Sequence, residues 1–111
     1  MPRVWVAGEA LIDLIPESAG NHVPKVGGGP ANTAKAVARL GYQTSFIGGI
    51  SADFYGKMIE EELKASGVEL ELSMKSNQPT ALAIATLDSQ GAASYEFKLE
   101  GTATFAFDES W

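Results

Sequence analysis

The chain has 111 residues, a length that suits one ordinary domain, and 45% of them are hydrophobic, which is enough for a core. Its formal net charge is -6, because fourteen acidic residues outnumber eight lysines and arginines. A surface of that sign repels nucleic acid and anionic membranes, so neither is expected as a partner. Cysteine is absent and no apolar run is long enough to span a bilayer, so we expect a cytoplasmic protein without disulfides or thiolate metal sites.

The first part of the chain alternates strand-like and helical segments. The segment RVWVAG is β-branched and aromatic and predicts a buried strand that ends at Gly8. EALIDLIP continues extended as far as Pro16, and a loop of sequence ESAGNH separates it from a strand at residues 23–26. TSFIGGI, later in the chain, has the composition of another short buried strand.

Two helices are predicted between these strands. In KVGGGPANTAKAVARLG, Pro30 suits a first helical turn and Gly41 suits a C-terminal cap. An apolar stripe runs between them, formed by Ala34, Val37, Ala38 and Leu40. The second helix, FYGKMIEEELKAS, is preceded by Asp53 as its cap and ended by Gly67. Its predicted inner face carries Phe54, Met58, Ile59 and Leu63.

The remainder of the chain has the pattern of antiparallel strands. VELELSMK alternates strictly from Val68 and predicts one half-exposed strand. TALAIATL and ASYEFKL are separated by Asp88 to Gly91, which suits the turn of a β-hairpin. The fold class is therefore α/β, with parallel βαβ units, flanking helices and an antiparallel β appendage.

The glycines at residues 27–29 leave several interpretations open. A phosphate loop would need a following Gly-Lys-Ser/Thr, and a dinucleotide site would need G-x-G-x-x-G between strand and helix; both motifs are missing. Glycine does permit close backbone approach to an uncharged polar ligand, with Asn32 in the first turn to donate and accept hydrogen bonds. A tight turn without any ligand explains the glycines equally well.

Asp13 favours the interpretation that the glycine loop binds a ligand. It lies within the apolar stretch ALIDLI, where an ionised carboxylate is costly unless a partner satisfies it. Its oxygens accept hydrogen bonds and suit two neighbouring hydroxyls of a sugar, although an aspartate facing solvent at the end of a strand is the simpler alternative.

In this order, the segments GEALIDLIP, GGGPANTAKAVARLG, FIGGISADFYG and LKASGV resemble the start of ribokinase-like sugar kinases of the phosphofructokinase B type. SYEFKLEGTATF resembles fructokinases in particular. Two positions depart from the family pattern: Ser51 stands where many members have glycine, and Gly29 where ribokinases tend to have lysine. The resemblance covers essentially all 111 residues.

The resemblance implies a substrate-binding role for Asp13, Gly28, Gly29 and Asn32, which would contact sugar hydroxyls. It divides residues 1–111 into an α/β body at about 1–67 and strands of a β lid at about 12–26 and 68–100. Tyr95 and Phe97 would be lid residues that pack on the sugar or within the lid itself. In many relatives the lid also mediates dimerisation, so a homodimer is expected.

The resemblance further implies ATP and Mg²⁺ as cofactors, with their main binding elements outside this chain. The family's Gly-Ala-Gly-Asp motif with the catalytic aspartate is absent, since the four aspartates (Asp13, Asp53, Asp88 and Asp108) lack that glycine context. No metal site is predicted. We therefore expect the sugar-binding, truncated first part of a kinase, inactive alone, whose exposed sheet edge promotes association. The alternatives are a kinase for another sugar or a nucleoside, a non-catalytic sugar-binding or dimerisation module, and a dinucleotide oxidoreductase.

Overall fold

The computed structural model describes residues 2–17 and 20–106. Two α-helices lie in this part of the chain, Gly29–Arg39 (α1) and Phe54–Ala65 (α2). Its strands, numbered in chain order, are Arg3–Ala7 (β1), Leu11–Pro16 (β2), His22–Gly27 (β3), Gln43–Ile47 (β4), Gly49–Ser51 (β5), Val68–Glu69 (β6), Met74–Ser76 (β7), Leu82–Leu87 (β8) and Ala93–Lys98 (β9). A 3₁₀ turn at Ala103–Phe105 follows the last strand.

A three-stranded parallel sheet and the two helices form the body of the molecule. The strand order is β1-β4-β6, and α1 packs on β1 and β4 while α2 packs on β6. The core between them contains Ala34 from α1, Phe46 from β4, and Ile59 and Leu63 from α2. These are the parallel βαβ units that the alternating segments predict.

A four-stranded sheet is attached to the body, with strand order β3-β2-β8-β9. Its outer pairs, β2 with β3 and β8 with β9, are antiparallel hairpins. The central pair, β2 with β8, is parallel. The sequence predicted a purely antiparallel appendage, and the parallel pairing of β2 with β8 corrects that prediction. This pair forms where the two hairpins, which are far apart in sequence, lie side by side.

The local signals for helix and turn ends are confirmed. The Asp53 side chain caps α2 by accepting a hydrogen bond of 2.8 Å from the Gly56 N–H. Gly41 and Gly67 follow the two helices with φ of 98° and 92°. The hairpin turn is closed by the Gly91 N–H, which donates to the Asp88 carbonyl oxygen at 3.1 Å. Neither helix of the described part is long and apolar enough to cross a membrane.

Three apolar residues on segments that were predicted to be buried are exposed in the structure. Trp5 on β1 is 63% exposed, because the helices cover one face of the body sheet and the Trp5 side chain lies on the other. Leu40 at the end of α1 is 76% exposed, and Phe54 at the start of α2 is 73% exposed. Both lie at helix ends, where the apolar stripe extends past the surface that the core covers.

Two predicted strands are divided in the structure. VELELSMK forms β6 and β7 with a turn between them, which is closed by the Ser73 N–H donating to the Leu70 carbonyl oxygen at 3.0 Å. The Ser73 hydroxyl donates to the Phe46 carbonyl oxygen at 2.7 Å and so attaches this turn to β4. TSFIGGI forms β4 and β5, separated at Gly48. β6 joins the body sheet through β4, and β7 forms a separate two-stranded parallel sheet with β5. Residues 68–76 therefore do not join the four-stranded sheet, although they were predicted to belong to the lid.

Candidate functional site

Asp13 lies in the middle of β2, inside the four-stranded sheet. Its neighbours across the sheet are Lys25 on β3 and Ala83 on β8, and residues paired in this way share a face. The side chain is half-buried, and burial raises the pKa of the Asp13 carboxyl above its ordinary value of 3.8. Within residues 2–17 and 20–106, this carboxylate has no hydrogen-bond or ion-pair partner. Asp13 is therefore a half-buried acceptor that the described residues leave unused.

The glycine loop is fitted closely to this carboxylate and to the strand beside it. A Cβ on Gly27 would overlap the Asp13 Oδ2 atom, so glycine at this position makes room for the acid. Gly28 has φ of 98°, and a Cβ there would lie 2.8 Å from the Glu9 carbonyl oxygen. Both glycines are thus required by close approach, Gly27 to a side chain and Gly28 to a backbone.

A cavity of about 360 Å³ opens on the face that carries Asp13. It is lined by residues 13–16 of β2, by Ala83, Ala85 and Leu87 of β8, and by Ala93 and Tyr95 of β9. The small side chains of Ala83 and Ala85 on β8 leave space between Asp13 on one side and Tyr95 on the other. The volume lies in the range of small-molecule sites.

Tyr95 and Phe97 form an aromatic surface at one side of this cavity. Tyr95 is 62% exposed and lines the cavity, and its ring is stacked on the Phe97 ring at a centroid distance of 6.1 Å. Phe97 lies opposite Ala83 in the sheet register, in the same row as Asp13. The structure therefore brings the predicted acid and the predicted aromatic residues to one face.

Gly29 and Asn32 lie at the start of α1 and do not line the cavity. Both are exposed, and a Cβ on Gly29 would meet open space. The Asn32 N–H is used within the helix, where it donates to the Gly28 carbonyl oxygen at 2.9 Å. The Asn32 side chain and the Gly29 backbone are thus accessible to a ligand that extends from Asp13 along the loop.

The residues of this site do not fit ATP or Mg²⁺. The carboxylate of Asp13 packs directly against the glycine loop and would repel a polyphosphate. In the described ranges, no three histidine, aspartate or glutamate side chains converge where they could hold a metal ion. Asp108 lies outside the described residues.

Gly27 and Lys25 lie beside Asp13, although the sequence did not assign either residue to the site. β2 and β3 pair antiparallel around the loop, so that Asp13 is opposite Lys25 and Leu11 is opposite Gly27. Counting outward from the predicted loop ESAGNH, residues 17–22, would pair Asp13 with Val26 instead, because His22 belongs to β3 and pairs with Pro16. A second cavity of about 350 Å³ lies between α2 and residues 70–75 and contains none of the predicted site residues.

Comparisons with known proteins agree with this fold. The chain is 38% identical over 104 residues to a fructokinase of Vibrio alginolyticus, covering 93% of this chain and 34% of that protein. It is 33% identical over 98 residues to an aminoimidazole riboside kinase of Salmonella typhimurium, covering 87% of this chain and 31% of that protein. Among solved structures, a fructokinase from Xylella fastidiosa with bound ATP superposes with a TM-score of 0.88 at 33% identity, covering 95% of this chain and 33% of that one.

These matches define the chain's family and its extent. The chain spans about a third of the length of the relatives it matches. The family model described as "pfkB family carbohydrate kinase" matches residues 1–111. The chain belongs to the pfkB family of carbohydrate kinases.

Proposed function

We propose that these residues form the sugar-binding part of an ATP-dependent sugar kinase that resembles fructokinases. The observation that carries the proposal is the half-buried carboxylate of Asp13, which has no partner within the described ranges and lines a cavity beside Tyr95. The family and the similar fructokinases support the substrate class.

The site has the chemistry that a sugar requires. Asp13 accepts hydrogen bonds from two adjacent hydroxyl groups, which compensates the cost of its burial. The exposed Tyr95 ring offers an apolar surface to the C–H face of the sugar, with Phe97 behind it. Gly28 and Gly29 allow the loop to approach, and Asn32 donates to or accepts from a further hydroxyl at the start of α1.

The reaction proposed for the full protein is phosphoryl transfer from ATP to a sugar hydroxyl, with Mg²⁺ supplying charge stabilisation when bound. The four-stranded sheet acts as the lid that excludes water from the reacting groups. In this assignment Asp13 binds and orients the sugar, while the base that takes the hydroxyl proton is not among the residues described. We expect no transfer activity from these 111 residues alone.

Two further assignments follow from the same proposal. We assign the protein to the cytoplasm. A homodimer, formed through the exposed face of the four-stranded sheet or through a free sheet edge, is the expected assembly. Either surface would bury aromatic residues that are exposed in the single chain.

A nucleoside is the second candidate substrate. The similarity to an aminoimidazole riboside kinase favours it, because ribose also presents adjacent hydroxyls to a carboxylate. A non-catalytic sugar-binding module would use the same site without transferring phosphate.

Calorimetric titration of the chain with D-fructose tests the proposal, with Asp13→Asn as the matched variant. We expect saturable heat from the wild-type chain and at least about a tenfold weaker affinity in the variant, the loss expected for hydrogen bonds to a charged group. D-Ribose and a riboside in parallel titrations decide between the two substrate classes. Equal affinity of the wild type and the variant for every ligand would contradict the assignment of Asp13.

A further inference from the structure

Asp53 makes more contacts than capping a helix requires. One carboxylate oxygen, Oδ1, accepts hydrogen bonds from the Gly56 N–H at 2.8 Å and from the Thr80 hydroxyl at 2.6 Å. The other, Oδ2, accepts from the Thr80 N–H at 2.9 Å. A cap uses one oxygen on one N–H group. The two bonds to Thr80 therefore connect α2 to a residue 27 positions further along the chain.

The Asp53 side of this contact is held rigidly by the body. The Asp53 N–H donates to the Ser51 hydroxyl at 3.1 Å, and Ser51 is buried in β5. A Cβ on Gly56 would overlap the Ser51 carbonyl oxygen, so the first turn of α2 rests directly on β5. Asp53 cannot shift without moving the start of the helix.

The Thr80 side leads directly into the four-stranded sheet. Thr80 and Ala81 are buried and immediately precede β8, the strand that pairs with both β2 and β9. The Ala81 carbonyl oxygen accepts from the Ile12 N–H at 3.0 Å, one residue before Asp13. The strands that carry Asp13 and Tyr95 are therefore both attached to the strand that Thr80 begins.

We infer that Asp53 and Thr80 are positioning residues, which hold the four-stranded sheet in place on the body and so align the Asp13 side chain with the glycine loop. The inference rests on the proposed function for the sugar site, but the contact it describes belongs to the fold. Neither residue touches the cavity beside Tyr95. The chain also connects body and sheet between β1 and β2. Ala10 lies in this connection, and its N–H donates to the Thr104 hydroxyl at 3.1 Å.

The test uses the 111-residue chain with Thr80→Val, which removes the hydroxyl at nearly constant volume, and Thr80→Ser, which retains it. Amide hydrogen exchange compares β8 and β9 with β4 of the body. We expect Thr80→Val to accelerate exchange in β8 and β9 by about tenfold, the size of a lost hydrogen bond to a charged group, with β4 unchanged and with Thr80→Ser close to wild type. The D-fructose affinity of Thr80→Val should fall as well.

The exchange and the titration separate this inference from the proposed function. Unchanged exchange in β8, or equal acceleration in β8 and β4, overturns the inference, because the second result is a general loss of stability. If the wild type binds no sugar while β8 alone exchanges faster in Thr80→Val, the contact is supported and the proposed function is contradicted.

Discussion

Asp13 and Asp53 place the same functional group in opposite surroundings. Burial raises the pKa of the Asp13 carboxyl. Burial also acts to raise the pKa of Asp53, but hydrogen bonds from Thr80, Gly56 and Ser51 outweigh it and hold the pKa below its ordinary value. The Asp53 carboxylate is used by the fold, whereas the Asp13 carboxylate has no partner among the described residues, a difference that residue identity alone does not reveal.

Gly27 is the residue whose substitution probes Asp13 without removing its charge. In Gly27→Ala the new Cβ must displace the Asp13 carboxylate, so we predict a D-fructose affinity at least about tenfold weaker, as expected when hydrogen bonds to a charged group are misaligned. Calorimetric titration measures the loss.

Gly29→Ala is a control for stability alone, because its Cβ meets open space in the first turn of α1 while Gly29 itself belongs to the proposed site. Urea unfolding should show no loss of stability in this variant, since alanine favours a helix over glycine. If Gly27→Ala binds D-fructose with the affinity of the wild type, the position of the Asp13 carboxylate beside Gly27 is not needed for binding.

At the scale of elements, α2 depends on the charge of Asp53. The pKa of Asp53 is lower in the folded chain than the ordinary value of 3.8, so its contribution to stability is complete above that pH. It is lost as the pH falls below 3.8 through the lower, folded pKa. We predict that Asp53→Asn lowers the free energy of unfolding by about 0.5–2 kcal/mol at pH 7, the usual cost of losing a helix cap.

Urea unfolding of the wild type and Asp53→Asn between pH 7 and pH 3 checks the sign. The difference in unfolding free energy should stay constant down to about pH 5 and narrow below 3.8. Asp13, whose pKa is raised, is common to both proteins and cancels in this difference. A difference independent of pH would show that the ionised state of Asp53 does not stabilise the fold.

Elements with local signals were predictable, and elements that depend on distant partners were not. Asp53, Gly41 and the turn at Asp88 act on neighbouring residues, and the structure has each of them in the predicted role. The alternation from Val68 is a true period of two, yet its two halves form separate strands, since β6 pairs with β4 and β7 with β5. The parallel pairing of β2 with β8 likewise joins segments about 70 residues apart.

The whole molecule is more extended than a compact chain of its length. Its radius of gyration is 14.8 Å, compared with about 13 Å expected for a compact domain of this size. The expected free sheet edge is present: β1 pairs with β4 on one side, and no strand of the described part pairs with its other side. An unprotected parallel edge beside exposed Trp5 promotes association.

We predict that the chain associates in solution and that Trp5→Lys reduces association, because a lysine on an edge strand opposes pairing. Light scattering should give a mass above the 11.7 kDa of the single chain for the wild type and a lower mass for the variant. Leu40→Lys, an exposed apolar residue at a helix end, is the control and should associate like the wild type. A monodisperse wild-type monomer would contradict this prediction.

The site as a whole was predictable in part. Asp13 in an apolar stretch and the glycines before α1 identified two of its components, since both are unusual in sequence. The cavity was not predictable, because it forms only when β8 places alanines between the strands of Asp13 and Tyr95. Of the predicted site residues, Asp13 and Tyr95 line the cavity, and the other four do not: Gly28, Gly29, Asn32 and Phe97.

The measurement that tests the central claim most directly is an amide NMR titration of the isotopically labelled chain with D-fructose. If one face of the four-stranded sheet binds sugar, the signals of Asp13, Gly27, Ala85 and Tyr95 shift together and saturate with one affinity. Signals of Glu60 and Lys75, which line the second cavity, stay in place. Shifts confined to that second cavity, or none on the face of Asp13, would contradict the sugar site proposed here.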